Sequence, residues 1–129
     1  MAGTFIKPRP ARKPDSLRSG PINCPSGVET SLVTVRISDG AYPYLESAAY
    51  YTDSVSTAIE FRRYINGVRD TGWEATRNTQ LGQIGAPRDL PNPQELSPGA
   101  VVEVRLFQTS GGAISGESDG DINYYDQPL

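Results

Sequence analysis

The fold is decided by the stretch ELSPGAVVEVRLFQTSGGAISGES, residues 95–118. It opens with a turn at Pro98 and Gly99, because proline pre-sets φ and glycine can take the positive φ of a type II turn. A period-2 run follows, with its apolar side chains on one face: Val102, Val104 and Leu106. Charged residues alternate with them, which is typical of a β-strand with one buried and one solvated face. Two glycines end the run, and residues 113–118 are predicted to form a short return strand or a loop.

This stretch resembles the strand F, turn and strand G region of fibronectin type III domains. The shared features are Leu-x-Pro-Gly beginning at Leu96, the alternating valines, a glycine-rich hairpin and a closing serine at Ser118. At the position of Val102 the family usually has a tyrosine whose hydroxyl fixes one corner of the sandwich. The resemblance therefore implies an all-β fold, a fibronectin-III-like or immunoglobulin-like β-sandwich, preceded here by an extended Pro-rich N-terminal arm.

The best hairpin signal is the pair Asn66 and Gly67, since both central residues of a type I′ turn need positive φ. It predicts two antiparallel strands, over residues 59–65 and 68–73. The register is given by three pairs: Ile65 with Val68, Arg63 with Asp70, and Phe61 with Gly72. One face of this hairpin is apolar apart from the pair of Arg63 with Asp70, and carries Ile59, Phe61, Ile65 and Val68.

The other elements are less regular. A strand is predicted within residues 28–38, and residues 75–94 are predicted to be loop apart from a short strand near residues 80–84. In residues 41–52, Pro43 argues against a central strand, so an edge strand or loop followed by a strand is expected, with a short helix as the alternative. Residues 118–121 are predicted to be a turn before a last strand. The predicted core consists of Val33, Val35, Ile37, Ile59, Phe61, Val102, Val104 and Leu106.

The residue types that carry most catalytic and metal chemistry are scarce. Histidine is absent, which removes the commonest general base and the commonest metal ligand. Cys24 is the only cysteine, so an internal disulfide and a Cys-based zinc site are both excluded. An unpaired thiol is favoured there over an intermolecular disulfide. We predict no enzyme activity, no catalytic residue, no metal and no cofactor, and the prolines near Met1 argue against a secretory signal.

A Pro-rich, polar and aperiodic composition sets off residues 1–27, the predicted arm, from residues 28–129, the predicted sandwich domain. Residues 1–20 carry five cations and one carboxylate, whereas the rest of the chain carries seven arginines and fourteen carboxylates. The arm has too little apolar surface to fold alone, so a basic arm on an acidic body predicts docking to protein. An acidic body would repel nucleic acid. The predicted partner-binding residues are Phe5, Ile6, Lys7, Arg9, Arg12, Lys13, Leu17 and Arg18.

Two further groups of residues are candidates for binding. Tyr64, Arg69 and Trp73 on the outer face of the hairpin could form a patch for a sugar or a protein, or a neighbouring loop could cover the tryptophan. A second group of carboxylates could bind Ca²⁺, but it lacks the spacing of an EF-hand loop, and a solvated turn is favoured. This group comprises Glu117, Asp119, Asp121 and Asp126.

The sequence thus predicts a non-enzymatic structural or binding protein. By analogy with the sandwich modules of bacteriophage particles, it resembles a virion accessory protein, a capsid decoration or tail-associated protein attached through its arm. Its partners would be other protein chains of the assembly, with a homo-oligomer as a further option, and neither nucleic acid nor membrane. The alternative is a bacterial carbohydrate-binding or adhesion module, secreted or on the cell surface, that uses exposed Trp and Tyr side chains.

Overall fold

The computed structural model describes residues 13–38, 42–70, 75–76, 84–85 and 87–129, and these contain ten strands and no helix. The strands are β1 (Asp15–Ser16), β2 (Ile22–Cys24), β3 (Glu29–Arg36), β4 (Tyr42–Thr52), β5 (Ile59–Ile65), β6 (Val68–Arg69), β7 (Ala75–Thr76), β8 (Arg88–Glu95), β9 (Val101–Gln108) and β10 (Ile114–Tyr125). The first sheet holds β1, β2, β10, β4 and β8, and the second holds β3, β9, β5, β6 and β7. All pairs are antiparallel. The predicted all-β sandwich is confirmed.

The strand pairs form one long hairpin with its tip at Asn66 and Gly67. Outward from that tip, β5 pairs with β6 and β7, β4 with β8, β3 with β9, and β2 with β10. Each leg of the hairpin alternates between the two sheets, so the hairpin wraps around the core and brings β9 against β5 and β10 against β4. This is the strand order of a jelly roll, one form of the two-sheet β-sandwich.

The tip has the predicted conformation. Asn66 and Gly67 have φ values of 52° and 78°, and Ile65 pairs with Val68. Two details of the prediction are wrong. Phe61 pairs with Ala75 instead of Gly72, which itself lies outside the described residues. Val68 is 70% exposed, because β6 is at the edge of its sheet beside the turn.

The predicted hairpin between β9 and β10 is also wrong. β9 lies between β3 and β5 in the second sheet, whereas β10 pairs with β1, β2 and β4 in the first. The glycine-rich segment after β9 therefore carries the chain from one sheet to the other. Residues 118–121 lie inside β10 and not in a turn. There, Gly120 has a φ of 153°, and a bulge between Asp121 and Ile122 bends the strand without ending it.

Prolines lie inside two strands, β4 and β8, although the sequence predicts that they disfavour strand structure there. β4 is a central strand between β10 and β8, and neither an edge strand nor a helix. Pro43 is tolerated because it is the second residue of β4, and its carbonyl accepts a hydrogen bond from the Leu96 N–H at 2.9 Å. Pro91 and Pro93 lie in β8, which was predicted to be loop; β8 is an edge strand, with its register interrupted opposite Leu45 and Ser47. The strand predicted near residues 80–84 lies mostly outside the described residues.

The core lies between the two sheets, with Tyr50 of the first stacked on Phe61 of the second at 5.1 Å. Val33 and Val35 are only partly buried, because β3 is an edge strand. A bulge between Ser31 and Val33 adds Leu32 to the core. The other predicted core residues are all buried: Ile37, Ile59, Phe61, Val102, Val104 and Leu106.

Residues 13–27 of the predicted arm are joined to the sandwich. β1 and β2 pair with β10, and the Leu17 N–H donates to the Gly120 carbonyl at 2.9 Å. Leu17, predicted to be an apolar anchor of the arm on another chain or on the body, is 2% exposed and packs in this chain's own core with Cys24. Leu17 thus anchors the arm to its own sandwich. For residues 1–12, which lie outside the described residues, the extended arm stays a prediction.

Candidate interaction surfaces

Alternation in the second sheet places a set of paired charges on its outer face, which we call the charged face. Arg62 contacts Glu29 at 3.1 Å and Glu60 at 2.6 Å, and Arg105 contacts Glu29 at 3.3 Å and Glu103 at 2.6 Å. The members lie on β3, β5, β6 and β9: Glu29, Glu60, Arg62, Arg69, Glu103 and Arg105. Three arginines thus balance three glutamates across neighbouring strands, so this face satisfies much of its charge internally.

Two residues of the predicted patch of Tyr64, Arg69 and Trp73 fall at this face, and both are paired within it. Tyr64 is buried, and its hydroxyl donates to the Glu29 carboxylate oxygens at 2.7 and 2.8 Å. The Arg105 guanidinium covers its ring, 4.2 Å from the centroid. A ring covered in this way offers no face to a sugar. Arg69 is exposed and pairs with Glu60 at 3.5 Å, and Trp73 lies outside the described residues.

The sequence prediction included Tyr64 but missed Glu29, Glu103 and Arg105. A signal for the last two was available, because they alternate with valines on β9 and therefore face outward together. Glu29 could not be found this way. Its contacts depend on β3 pairing with β9, a partner more than sixty residues away in the chain.

The network shifts the acidity of its carboxyl groups. Burial by itself would raise the pKa of Glu29, but hydrogen bonds from Tyr64 and Arg105 and the charge of Arg62 outweigh it, so the pKa is lowered. In Glu103, burial is likewise outweighed, chiefly by the hydrogen bond from Arg105, and its pKa is lowered too. The pKa of the Tyr64 phenol is raised by burial and by its hydrogen bond to Glu29.

These shifts predict a loss of stability in acid. A carboxyl group with a lowered pKa in the folded state stabilises the fold above its unfolded pKa, and that stabilisation is lost as the pH falls through the folded pKa. In Glu29→Gln the free energy of unfolding should therefore fall less steeply than in the wild type between about pH 5 and about pH 3. Urea denaturation at several pH values measures this. An equal slope in both proteins would contradict the assigned role of Glu29.

Two acidic residues of β10, Asp119 and Asp121, act as hydrogen-bond acceptors within the fold. Asp119 is 6% exposed, and its Oδ2 and Oδ1 accept from the Gly85 and Gly120 N–H groups at 2.7 and 2.8 Å. Asp121 accepts from the Ser47 hydroxyl at 3.2 Å. The prediction of a solvated turn is wrong for Asp119, which sits in a strand. No group of three or more metal-ligating side chains occurs among the described residues.

Cys24 is a free thiol whose side chain is fully buried. Burial raises its pKa, against weaker opposing hydrogen bonds from Thr30 and Gly116. Both facts lower its reactivity, because the thiolate is the reactive form. A disulfide to another chain would require this part of the core to open.

At one end of the sandwich, three connections that the structure describes in full cross between the sheets, and we call them the loop end: residues 25–28, 53–58 and 109–113. Gln108 is fully buried beneath them. Its amide donates to the carbonyls of Cys24 and Gly112 at 3.0 and 2.7 Å, and its carbonyl accepts from the Ser110 N–H at 2.7 Å. Further hydrogen bonds join Thr109 to Ala58 and Gly27 to Gln108, so the three connections hold one another in place.

Three apolar side chains at or near the loop end are strongly exposed to solvent. Val55 is 86% exposed and Val28 51% exposed, while Tyr51, the next-to-last residue of β4, is 47% exposed. Such side chains on a fixed backbone suit a binding surface better than the same residues on a mobile loop, because less conformational entropy is lost on binding.

The arm joins the sandwich at the opposite end. Asp15 pairs with Ile122 near the far end of β10, whereas β10 begins at the loop end with Ile114. Ser16 and Leu17 then run along β10 toward the loop end. Lys13 and Arg18, two of the predicted partner-binding residues, are exposed there. The others, Phe5, Ile6, Lys7, Arg9 and Arg12, lie outside the described residues.

A comparison of the sequence with protein-family models gave no match, and a comparison with curated proteins gave none. Within the described part of the chain, no helix is long and apolar enough to cross a membrane.

Proposed function

We propose that this protein is a non-enzymatic structural protein that attaches to a larger assembly through its N-terminal arm, as a virion-associated accessory protein of the capsid decoration or tail type. The observation that carries this proposal is the anchoring of the arm's base. β1, the buried Leu17 and the contact of the Tyr124 hydroxyl with Asp15 tie that base to the sandwich. A load on the arm would therefore reach the folded domain directly.

The charge and composition of the chain support the same proposal. Residues 1–13 contain four cations and no carboxylate. The chain has no histidine, and its one cysteine is buried. The jelly-roll strand order occurs in viral capsid domains, although it also occurs in lectins, so it supports the proposal without deciding it.

The test is co-sedimentation with particles purified from the protein's source. Deleting residues 1–12 should reduce incorporation at least about tenfold, because it removes most of the basic arm and both of its apolar anchors. The truncation stops before Lys13, since β1 and Leu17 belong to the sandwich. The truncated chain should melt at the wild-type temperature, which separates lost attachment from lost folding.

A second pair of variants divides the attachment into its two contributions. Neutralising Lys7, Arg9 and Arg12 should weaken incorporation mainly at low salt, because screening removes their contribution at high salt. Replacing Phe5 and Ile6 by alanine should weaken it at all salt concentrations. Full incorporation of the chain that lacks residues 1–12 would show that the sandwich makes the attachment.

The second candidate, a carbohydrate-binding or adhesion module of a secreted or surface protein, is favoured by the exposed Tyr42 and Tyr51, 41% and 47% exposed. Aromatic rings at the surface can stack on sugars. Binding to a glycan array that is lost in Tyr51→Ala would favour this candidate over the first.

A further inference from the structure

We propose that Asn66, at the tip of the long hairpin, is a site of spontaneous covalent modification, where its side-chain amide is hydrolysed through a cyclic imide. The products are ammonia and an aspartate or isoaspartate residue at this position. The reaction uses the chain itself and water, with no enzyme. This site goes beyond the proposed function and is independent of the arm.

The reacting groups are the carboxamide of Asn66 and the backbone nitrogen of Gly67, the next residue in the chain. The Gly67 nitrogen attacks Cγ of Asn66 and loses its proton, and the carboxamide nitrogen leaves with that proton as ammonia. This step closes a succinimide ring. Water then breaks one of the two ring C–N bonds: breaking the bond to Cγ gives aspartate, and breaking the main-chain bond gives isoaspartate. No electrons are gained or lost, and water is the only reactant that the chain does not supply.

Gly67 favours this reaction at Asn66. Glycine has no Cβ to obstruct the approach of its own nitrogen, and a Cβ built at Gly67 would meet no atom within 4 Å, so the space around this peptide is open. A type I′ turn forms its hydrogen bond between its outer residues, here Ile65 and Val68, and does not use the N–H of Gly67. Both central residues of the turn are exposed, so solvent reaches the attacking nitrogen.

The other four asparagines of the chain are followed by residues that hinder the same attack. Proline after Asn92 has no N–H to lose. The other three are followed by residues with bulkier side chains, and Asn23 and Asn123 are also held in the ladders of β2 and β10. The four pairs are Asn23–Cys24, Asn78–Thr79, Asn92–Pro93 and Asn123–Tyr124.

The folded tip restrains Asn66. Its Oδ1 accepts a hydrogen bond from the Val101 N–H at 2.9 Å, and its own N–H donates to the Val101 carbonyl at 2.8 Å. The succinimide ring contains the Asn66 Cα–C bond, so ring closure rotates ψ of Asn66 away from the value that a type I′ turn requires. The turn must therefore open before the ring can close. Opening an exposed tip costs less free energy than global unfolding, so the reaction proceeds slowly in the folded protein.

The two products differ in their effect on the tip. Aspartate keeps a side-chain oxygen for the Val101 N–H and tolerates positive φ, so it fits the turn. Isoaspartate carries the main chain through Cβ, which adds one atom to the backbone between Ile65 and Val68 and disrupts the two-residue turn. β6 contains only Val68 and Arg69 and lies at the edge of its sheet, so isoaspartate should release it.

Peptide mapping of the full-length protein tests the site. Trypsin cuts after Arg63 and Arg69 and releases residues 64–69, in which Asn66 is the only asparagine. After incubation at mildly alkaline pH in water enriched in heavy oxygen, and digestion in ordinary water, this peptide should appear in aspartate and isoaspartate forms, each with one heavy oxygen. Unfolding the chain in guanidinium chloride should speed the reaction at least about tenfold, because the turn no longer has to open.

Gly67→Ala is the matched variant, and it is compared in denaturant so that the turn has no influence. The added methyl group obstructs the attacking nitrogen, so the rate should fall at least about tenfold. In the folded protein, Asn66→Asp supplies the aspartate product with an ordinary backbone and should melt at the wild-type temperature. Chains that carry isoaspartate, separated by chromatography, should melt at a lower temperature.

Absence of modification in residues 64–69 of the unfolded chain would overturn the proposed site, as would an equal rate in Gly67→Ala. Equal rates in the folded and unfolded chains would contradict the restraint by Val101 and the turn. Isoaspartate-containing chains that melt like Asn66→Asp would contradict the assigned effect on β6.

Discussion

Gly120→Val is expected to lower the free energy of unfolding by about 4 kcal/mol, a large part of the total stability of a domain of this size. Gly120 has a φ of 153°, which a side chain with a Cβ rarely adopts. A Cβ at this position would also stand 2.5 Å from the Ser47 carbonyl oxygen and 3.4 Å from the Ala48 Cα. These are backbone atoms of the central strand β4, so they cannot move aside as a flexible side chain would.

Gly112→Val is the matched control. Gly112 lies in the exposed connection after β9, and a Cβ there would meet no atom within 4 Å. Gly112→Val should therefore lower the free energy of unfolding by less than about 1 kcal/mol. Urea denaturation of both variants measures the difference. Equal stabilities would show that β10 does not approach β4 as described, and would argue against the pairing of these two strands in the first sheet.

The second large effect concerns Arg63, whose side chain is fully buried between the sheets. Its guanidinium contacts the carboxylate of Asp70, after β6 in the second sheet, and the amide oxygen of Gln94, on β8 in the first. Burial lowers the pKa of Arg63 to about 10, against the opposing effects of Tyr50 and Asp70. A cation in this position needs its carboxylate partner, because removing one member of a buried ion pair leaves the other charge uncompensated.

Asp70→Ala is therefore expected to lower the free energy of unfolding by about 3–5 kcal/mol. Arg63→Met removes the charge and keeps much of the side-chain volume, so it should lower the free energy of unfolding by only about 0–2 kcal/mol. The double variant Arg63→Met/Asp70→Ala should be more stable than Asp70→Ala alone. A double-mutant cycle by chemical denaturation gives these quantities. If the two substitutions proved independent of each other, the contact between Arg63 and Asp70 would not contribute to the fold.

The sequence alone determined the features that depend on near neighbours in the chain. The turn at Asn66 and Gly67 followed from the φ preferences of two residues, and both adopt positive φ. The faces of β5 and β9 followed from the period of two, which is why Phe61, Val104 and Leu106 are buried as predicted. The outward-facing Tyr64 and Arg69 could be named for the same reason.

Only the tertiary structure decided which strands pair, because partner choice depends on burying two sheet faces against each other over long separations in sequence. Glycine and aspartate favour a turn and a bulge equally well, so the sequence predicts a turn at residues 118–121, where β10 in fact continues beside β4. Leu17 looked like an isolated apolar residue in a polar arm, and its burial required the distant β10 as a partner. The loop end likewise exists only because three connections, at residues 25–28, 53–58 and 109–113, meet over the side chain of Gln108.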